Sequence, residues 1–164
     1  MMRVFPLLGC LLLAACASAP TTSSLAADEA AIRAHGQTWL KHYTAGDLDA
    51  LMALYTDDAV VALHDQPALR GKPAIRAYFA RSAGKADVTF KLDIEQIDIN
   101  GDLAWITSKY WLRSVSTGSG YVYEDAGRSL IIYRREADGV WRLAADIDNN
   151  TPDVTMETMP AGTS

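Results

Sequence analysis

The chain has 164 residues, a formal net charge of −5, 49% hydrophobic residues and 21% charged residues. This length is sufficient for one domain with its own hydrophobic core, and the composition is that of an ordinary globular protein. The negative charge and the lack of a Lys/Arg cluster argue against a protein that binds nucleic acid through a basic face.

The first residues predict an export signal. A short basic start is followed by the apolar run VFPLLGCLLLAA, which is shorter than the ~20 residues that span a bilayer but fits the apolar region of a secretory signal. The next residues, LAAC, end at Cys16 and resemble the lipobox of bacterial lipoproteins. This resemblance implies a signal peptide over residues 1–15, cleavage before Cys16, and acyl chains on its sulfur that anchor a periplasm-facing protein in the cell envelope.

Two alternatives to this lipid anchor remain open. LLGC, which ends at Cys10, also fits the lipobox loosely but leaves a very short apolar region. An ordinary signal peptide cleaved after Ala17 or Ala19 would instead give a secreted protein. In either case, residues 16–27 are small and polar, which predicts a flexible tether.

Three helices and a short strand are predicted next. Apolar residues at helical spacing indicate an amphipathic helix over Asp28–Thr44, and Gly46 ends it. Asp47 is a suitable N-cap for a second helix. Ala59–Leu63 has the β-branched character of a strand, and Pro73 lies near the first turn of a third helix.

From Asp87 onward apolar and polar residues alternate, which predicts four long antiparallel strands. The phase slips by one residue at Glu95-Gln96, which indicates a β-bulge, and Asn100-Gly101 predicts a hairpin turn. The third strand is YVYEDAGRSLIIYRRE and the fourth is VWRLAADIDN. Regular structure is predicted to end at Thr151-Pro152, which leaves residues 153–164 as a disordered tail.

This order of elements predicts an α+β fold in which helices pack on a curved antiparallel sheet. A bent sheet folded around a few helices forms a cone with one open end. A pocket is expected between the concave face of the sheet and the first and third helices.

Several motifs carry a resemblance to a known family: AGDLDAL, YTDDAV, RGKPAI and a closing W-R-x-x-x-D. With their surroundings they resemble SnoaL-like and related domains of the nuclear transport factor 2-like superfamily, over residues 28–152. The resemblance implies a cone-shaped, cystatin-like fold. It implies no single activity, because this scaffold hosts isomerases, dehydratases, cyclases, hydrolases and non-catalytic association domains, so function has to be argued from the site.

The ketosteroid-isomerase branch of that superfamily offers a test at the level of residues. Its pattern places the carboxylate base at Leu63, which cannot carry a proton. The phenol donor falls on Trp39, whose indole N–H donates but is not acidic. The remaining acid falls near Ser129 or Leu130. None of the three roles is kept, so steroid isomerase chemistry is not expected.

The His64-Asp65 pair follows Leu63 directly and has two interpretations. It is either a polar turn that ends a strand or a pair at the rim of the pocket. Because side chains alternate along a strand, an inward Leu63 would turn His64 outward and Asp65 inward again. In the enzyme hypothesis, His64 or Asp65 is the base, and Tyr43 or Tyr78 is the proton donor.

Arg128 and Asp146 are polar residues within strands that are otherwise aliphatic. They form either a cross-strand ion pair or a pair that orients a ligand in the pocket. On the last strand, strict alternation places Trp141 and Leu143 on one face and Asp146 on the other. If the first face packs on the helices, Asp146 points away from them unless a bulge intervenes.

Other expected ligand-binding residues are Trp39, Leu63, Tyr78, Phe79 and Tyr110. His35 and His42 lie about 10.5 Å apart along the first helix, too far for a shared metal. The sequence shows no metal-ligand spacing, phosphate-binding loop or nucleophile elbow, so neither a metal nor an organic cofactor is expected.

Two functional hypotheses remain. The favoured one is an exported, lipid-anchored domain that binds a small hydrophobic molecule and forms a homodimer through its sheet. The alternative is a cofactor-independent isomerase, dehydratase or cyclase that uses acid–base chemistry. Asp65 or His64 facing an enclosed apolar cavity within hydrogen-bond reach of a tyrosine would favour the enzyme, whereas a pocket filled by Trp39, Leu63 and Phe79 would exclude it.

Overall fold

The computed structural model describes residues 24–161. The predicted signal peptide, Cys16 and most of the tether lie outside this range. The elements are α1 (Leu25–Ala45), α2 (Leu48–Ala53), β1 (Tyr55–Ala62), β2 (Leu69–Arg70), α3 (Gly71–Phe79), β3 (Ala86–Asn100), β4 (Leu103–Ser116), β5 (Val122–Arg135), β6 (Trp141–Asn149) and the 3₁₀ helix η1 (Met156–Thr158).

The six strands form one sheet in the order β2-β1-β6-β5-β4-β3, and the helices pack on it, which confirms the predicted α+β class. The helix ends follow from local chemistry. The Ser24 side chain accepts from an N–H of the first turn of α1, and Asp47 does the same for α2. Gly46 ends α1 with φ +70°, a left-handed conformation that favours glycine.

The long meander of β3 to β6 is antiparallel as predicted. The register of β3 shifts between Ile94 and Gln96, so the bulge predicted at Glu95 is present. The predicted turn at Asn100-Gly101 joins β3 to β4. The sequence did not reveal that β1 begins at Tyr55 and runs parallel to β6, because that pairing joins residues far apart in the chain.

A second bulge lies in β6 and reverses the face of its acids. Tyr133 pairs with Leu143 and Ile132 pairs with Ala145, so Ala144 is an extra residue. Trp141 and Leu143 are buried in the core, and beyond the bulge Asp146 and Asp148 take over the inner face. The expectation that Asp146 points away from the helices is therefore wrong, because the bulge breaks the strict alternation on which it depended.

The core lies between the sheet and the helices and includes Ile32, Leu51, Ile75 and Ile106, each at most 1% exposed. Burial of such side chains is the main stabilising contribution. The N-terminal end of α1 is fixed to the sheet by a buried carboxylate. Asp28 accepts two hydrogen bonds from the Arg135 guanidinium, at 2.7 and 2.9 Å, and one from the Trp141 indole at 2.9 Å.

The last residues differ from the predicted tail. Val154 is 2% exposed and packs with Trp111 and Ala126 on the outer face of the sheet. The Trp111 indole N–H donates to the Thr155 carbonyl at 2.9 Å. The prediction of disorder is thus wrong for residues 153–161, because an apolar patch on β4 and β5 gives this short segment a surface to bury.

The first residues of the domain also differ slightly from expectation. Leu25–Ala27, assigned to the tether, already belong to α1. Within residues 24–161 no helix is both long and apolar enough to cross a bilayer.

Candidate functional site

A cavity of about 500 Å³ lies between the inner face of the sheet and helices α1 and α3. This is within the usual range for small-molecule sites. Most of its wall is aromatic or aliphatic. Among the residues predicted to bind a ligand, those that line it are Trp39, Leu63, Tyr78, Phe79, Tyr110 and Asp146.

The indole of Trp39 is held in place on one side of the cavity. It stacks on the Tyr43 ring, with centroids 4.8 Å apart and planes 11° apart. Its N–H donates to the Tyr55 hydroxyl at 2.7 Å. Phe79 meets the indole edge-on at 5.4 Å. These contacts fix the shape of the wall, since aromatic pairs of this kind stabilise one ring orientation.

The tyrosines that the sequence suggested as proton donors are engaged elsewhere. Tyr43 lines the cavity, but its hydroxyl donates to Ser82 Oγ at 2.8 Å. The Tyr78 hydroxyl accepts from the Gln66 amide at 2.8 Å. Tyr55 and Tyr133, which the sequence analysis did not single out, also line the cavity and are each at most 2% exposed.

Asp146 is the most unusual group of the cavity wall. Its neighbours across the sheet are Val61 on β1 and Ile131 on β5, both apolar. Its Oδ1 is shielded from water and has no hydrogen-bond donor in residues 24–161. Burial first, and the charge of Asp148 second, raise the pKa of the Asp146 carboxyl to about 7.

The charge of Asp146 also acts on the two buried phenols. Burial, followed by the repulsion from an ionised Asp146, raises the pKa of Tyr55 and of Tyr133 well above the ordinary value. Both hydroxyls therefore keep their protons at any physiological pH. A carboxyl that titrates near neutrality thus lines the same cavity as two phenols that remain donors.

A second polar group lies two residues farther along β6. We call His64, Asp125, Asp148 and Tyr110 the acid–histidine cluster. The backbone N–H of His64 donates to Asp148 Oδ1 at 2.6 Å, and ring Nδ1 lies 3.1 Å from the same oxygen. The other ring nitrogen, Nε2, lies 3.6 Å from Asp125 Oδ1. His64 therefore bridges two carboxylates.

The pKa of His64 reflects competing effects. Burial lowers it, but the hydrogen bond to Asp148 and the charges of Asp125, Asp148 and Asp65 outweigh burial, and the net pKa is raised. The imidazolium form is thereby favoured over a wider pH range than for a free histidine.

Asp125 accepts hydrogen bonds from three other side chains. The hydroxyls of Tyr110 and Tyr123 donate to its Oδ2 at 3.3 and 3.4 Å, and the Asn150 amide donates to its Oδ1 at 3.1 Å. Burial and the nearby acids raise the pKa of both tyrosines, that of Tyr123 to about 12. The Asp125 carboxylate is well satisfied by its surroundings.

The cluster contains atoms of the type that bind divalent cations. One nitrogen of His64 and one oxygen each of Asp125 and Asp148 lie within 4.8 Å of one another. Residue spacing could not predict this grouping, because the three residues come from the turn after β1, from β5 and from β6. In the structure these atoms contact one another through hydrogen bonds and ion pairs.

Asp65 and Arg128 lie away from the cavity. Asp65 is exposed in the turn after β1, with φ +59°; the strand ends at Ala62, so strand alternation does not apply to it. Arg128 pairs with Glu95 and Asp153, at 3.1 and 2.8 Å. Arg128 does not pair with Asp146, because the bulge in β6 turns Asp146 inward, and Arg128 does not line the cavity.

The sequence did not predict Asp125 and Asp148 as site residues. For Asp148 the reason is again the bulge in β6, which reverses the face that strict alternation gives. The i, i+2 spacing in ADIDN was the available signal, since it places Asp146 and Asp148 on one face whichever face that is.

Comparisons with known proteins agree with this architecture. A family model described as a SnoaL-like domain matches residues 37–144. A solved structure of a conserved protein from Planctomyces limnophilus is similar over 74% of this chain and 94% of its own, with 29% sequence identity and a TM-score of 0.68. No curated protein matches the chain.

Two further solved structures show the same fold at lower identity. A ketosteroid isomerase-like protein from Erwinia carotovora atroseptica is 24% identical, with a TM-score of 0.59, over 73% of this chain and 92% of its own. An NTF2-like protein with a cystatin-like fold from Novosphingobium aromaticivorans is 20% identical, with a TM-score of 0.66, over 79% and 85%. The predicted NTF2-like, cystatin-like fold is confirmed.

Proposed function

The chain belongs to the SnoaL-like family, and on that basis we propose that it binds a small hydrophobic molecule in the cavity between α1, α3 and the sheet. The observation that carries this proposal is the cavity itself. About 500 Å³ of space is walled mainly by aromatic and aliphatic side chains, and the polar groups of the wall include three acids on β5 and β6. Such a combination suits an apolar ligand that is oriented by a small number of polar contacts.

Binding of Nile red, a neutral dye that fluoresces in apolar surroundings, tests the proposal. We expect the protein to enhance its fluorescence and Leu63→Trp to reduce the effect at least fivefold, because Leu63 lines the cavity and the indole fills it. The matched control is Leu103→Trp at the start of β4, where Leu103 is 56% exposed and does not line the cavity. Equal loss of signal in both variants, or no signal with the unaltered protein, would contradict binding in the cavity.

A second candidate function is supported by Asp146. A carboxyl that titrates near pH 7 and lines the same cavity as two phenol donors can accept a proton from carbon while a phenol stabilises the resulting enolate. This is the chemistry of an isomerase or dehydratase that needs no cofactor. Here the base would come from β6 and the donors would be Tyr55 and Tyr133, which replaces the earlier choice of His64 or Asp65 with Tyr43 or Tyr78.

Proton exchange in D₂O tests this second candidate. A panel of hydrophobic ketones is incubated with the protein, and loss of the α-proton signal is followed by ¹H NMR in the presence of EDTA. We expect exchange that rises with pH to a plateau above the pKa of Asp146 and that Asp146→Asn abolishes. Exchange that survives in this variant, or that is no faster than with Asp153→Asn protein, would exclude Asp146 as the base.

We also propose that the protein is exported and lipid-anchored through Cys16. The lipobox-like LAAC and the apolar run before it support this proposal. A Cys16→Ser variant is expected to leave the membrane fraction and to lose labelling by a radioactive fatty acid, while Cys10→Ser keeps both. Unchanged fractionation of Cys16→Ser would contradict the anchor.

A further inference from the structure

The charges on the cavity wall are distributed unevenly. Three carboxylates line the cavity from the side of β5 and β6: Asp125, Asp146 and Asp148. Asp125 and Asp148 have His64 between them as a shared partner. Asp146 differs from both, since no donor from residues 24–161 reaches its Oδ1.

The basic residues of the cavity wall are held on the opposite side. Lys85 Nζ donates to the Ala80 and Arg81 carbonyls just after α3, at 2.9 and 3.3 Å. Arg81 Nε donates to the Tyr78 carbonyl at 3.2 Å, and its guanidinium lies 4.3 Å from the centre of the Tyr78 ring. Neither cation forms an ion pair with a cavity carboxylate in the structure.

Aromatic rings surround the same space. Besides the fixed pair of Trp39 and Tyr43, the cavity is lined by Tyr55, Phe79 and Tyr133. The faces of such rings attract cations, most strongly when water is excluded. An acidic group without a donor, in an aromatic-walled cavity, is the arrangement that stabilises a desolvated organic cation.

We propose that the cavity selects hydrophobic ligands that carry a positively charged nitrogen, which pairs with the Asp146 carboxylate. This inference rests on the proposed function, since it names the class of ligand for the same cavity. An anionic ligand beside Asp146 would be repelled by that carboxylate, and a neutral ligand would offer it at most a hydrogen bond and no opposite charge.

Three adamantane derivatives of the same cage test the proposal: adamantan-1-amine, adamantan-1-ol and adamantane-1-carboxylate. Their affinities at pH 8 are measured by isothermal titration calorimetry and by quenching of Trp39. We expect the amine to bind at least tenfold more tightly than the alcohol, and the carboxylate to bind more weakly than both. The affinity for the amine should rise about fivefold or more from pH 6 to pH 8, as Asp146 ionises.

Two variants show whether Asp146 is responsible. Asp146→Asn has nearly the same shape and should bring the affinity for the amine down to that for the alcohol, with little pH dependence. Asp146→Leu should favour the alcohol over the amine. The control Asp153→Asn removes an exposed acid paired with Arg128 and should change nothing. Circular dichroism confirms that each variant is folded.

The outcomes separate the two proposals. If the alcohol binds as tightly as the amine, or if the preference for the amine survives in Asp146→Asn, the cation inference is overturned while hydrophobic binding stands. If none of the three compounds binds and Nile red also fails, both proposals fail. If Nile red binds but none of the three compounds does, the cation inference fails alone.

Discussion

The backbone N–H of His64 donates to Asp148 Oδ1 at 2.6 Å, and the ring of the same histidine lies 3.1 Å from that oxygen. One carboxylate oxygen thus fixes both the turn after β1 and the orientation of the imidazole. Because Asp148 is also the neighbouring charge that raises the pKa of Asp146, the cluster and the buried acid are coupled.

The first prediction concerns this coupling. Asp148→Asn removes a negative charge near Asp146 and the hydrogen-bond acceptor of His64, so the pKa of Asp146 should fall and that of His64 should fall too. NMR titration of the Asp carboxyl carbons and the His ring protons measures both. His64→Gln should instead leave the Asp148 charge uncompensated and raise the pKa of Asp146. A pKa of Asp146 that is the same in all three proteins would show that the cluster and Asp146 are independent.

The second prediction concerns stability and pH. The pKa of Asp146 is raised from 3.8 to about 7 on folding, so its favourable contribution is fully present below pH 3.8 and is lost as pH rises through 7. A shift of this size corresponds to roughly 4 kcal/mol of unfolding free energy. The Asp146→Asn variant has no ionisable group at this position and so lacks this pH-dependent contribution to the free energy of unfolding. Relative to the variant, the unaltered protein should therefore lose stability between pH 4 and pH 8.

Urea unfolding of both proteins at several pH values measures this difference. Asp153→Asn serves as the control, because the pKa of Asp153 is lowered to about 2 by Arg128 and its contribution changes in the opposite, more acidic range. A difference between the unaltered protein and Asp146→Asn that stays constant from pH 4 to pH 8 would refute the raised pKa.

The third prediction concerns the buried carboxylate at the start of α1. Asp28→Ala leaves the Arg135 guanidinium without the acceptor of its two shortest hydrogen bonds and the Trp141 indole without its acceptor. Loss of one partner from a buried pair typically costs roughly 3–5 kcal/mol. Asp138→Ala, which breaks the surface pair with Arg142, should cost less than about 1 kcal/mol. Similar losses for both variants would contradict the special role of Asp28.

The fourth prediction concerns assembly. Leu130 and Ile147 face each other across β5 and β6 on the outer side of the sheet, and they are 39% and 49% exposed. We propose that this apolar pair lies in a homodimer interface. Sedimentation velocity should show a dimer for the unaltered protein and a monomer for Ile147→Lys, whereas Val140→Lys at another exposed apolar position should stay dimeric. A monomer in all three cases would reject the interface.

Local sequence patterns were sufficient for most of the fold. The slip at Glu95 is visible because apolar residues continue on both sides of it with shifted phase, and Gly46 and Gly101 mark their turns directly. The bulge at Ala144 gave no such signal. The bulge falls within Ala144-Ala145, and because alanine is small and tolerated on either face, the sequence left the phase of β6 undetermined and with it the orientation of Asp146.

The candidate site was only partly predictable for a related reason. Trp39, Leu63 and Phe79 were found because apolar residues of helices and strands point to a shared core. The acid–histidine cluster depends on the parallel pairing of β1 with β6, a contact between residues 84 positions apart in the chain. Only the assembled sheet brings His64 to Asp148 and Asp125.

Ligand binding in the cavity is tested by chemical-shift mapping with adamantan-1-ol. Two-dimensional NMR spectra are recorded with increasing amounts of this neutral compound. We expect the largest shifts at Trp39, Leu63 and Phe79, and no shift at Leu130 and Ile147 on the outer face. Shifts confined to the outer face, or no shifts at millimolar compound together with no Nile red fluorescence, would contradict binding in the cavity.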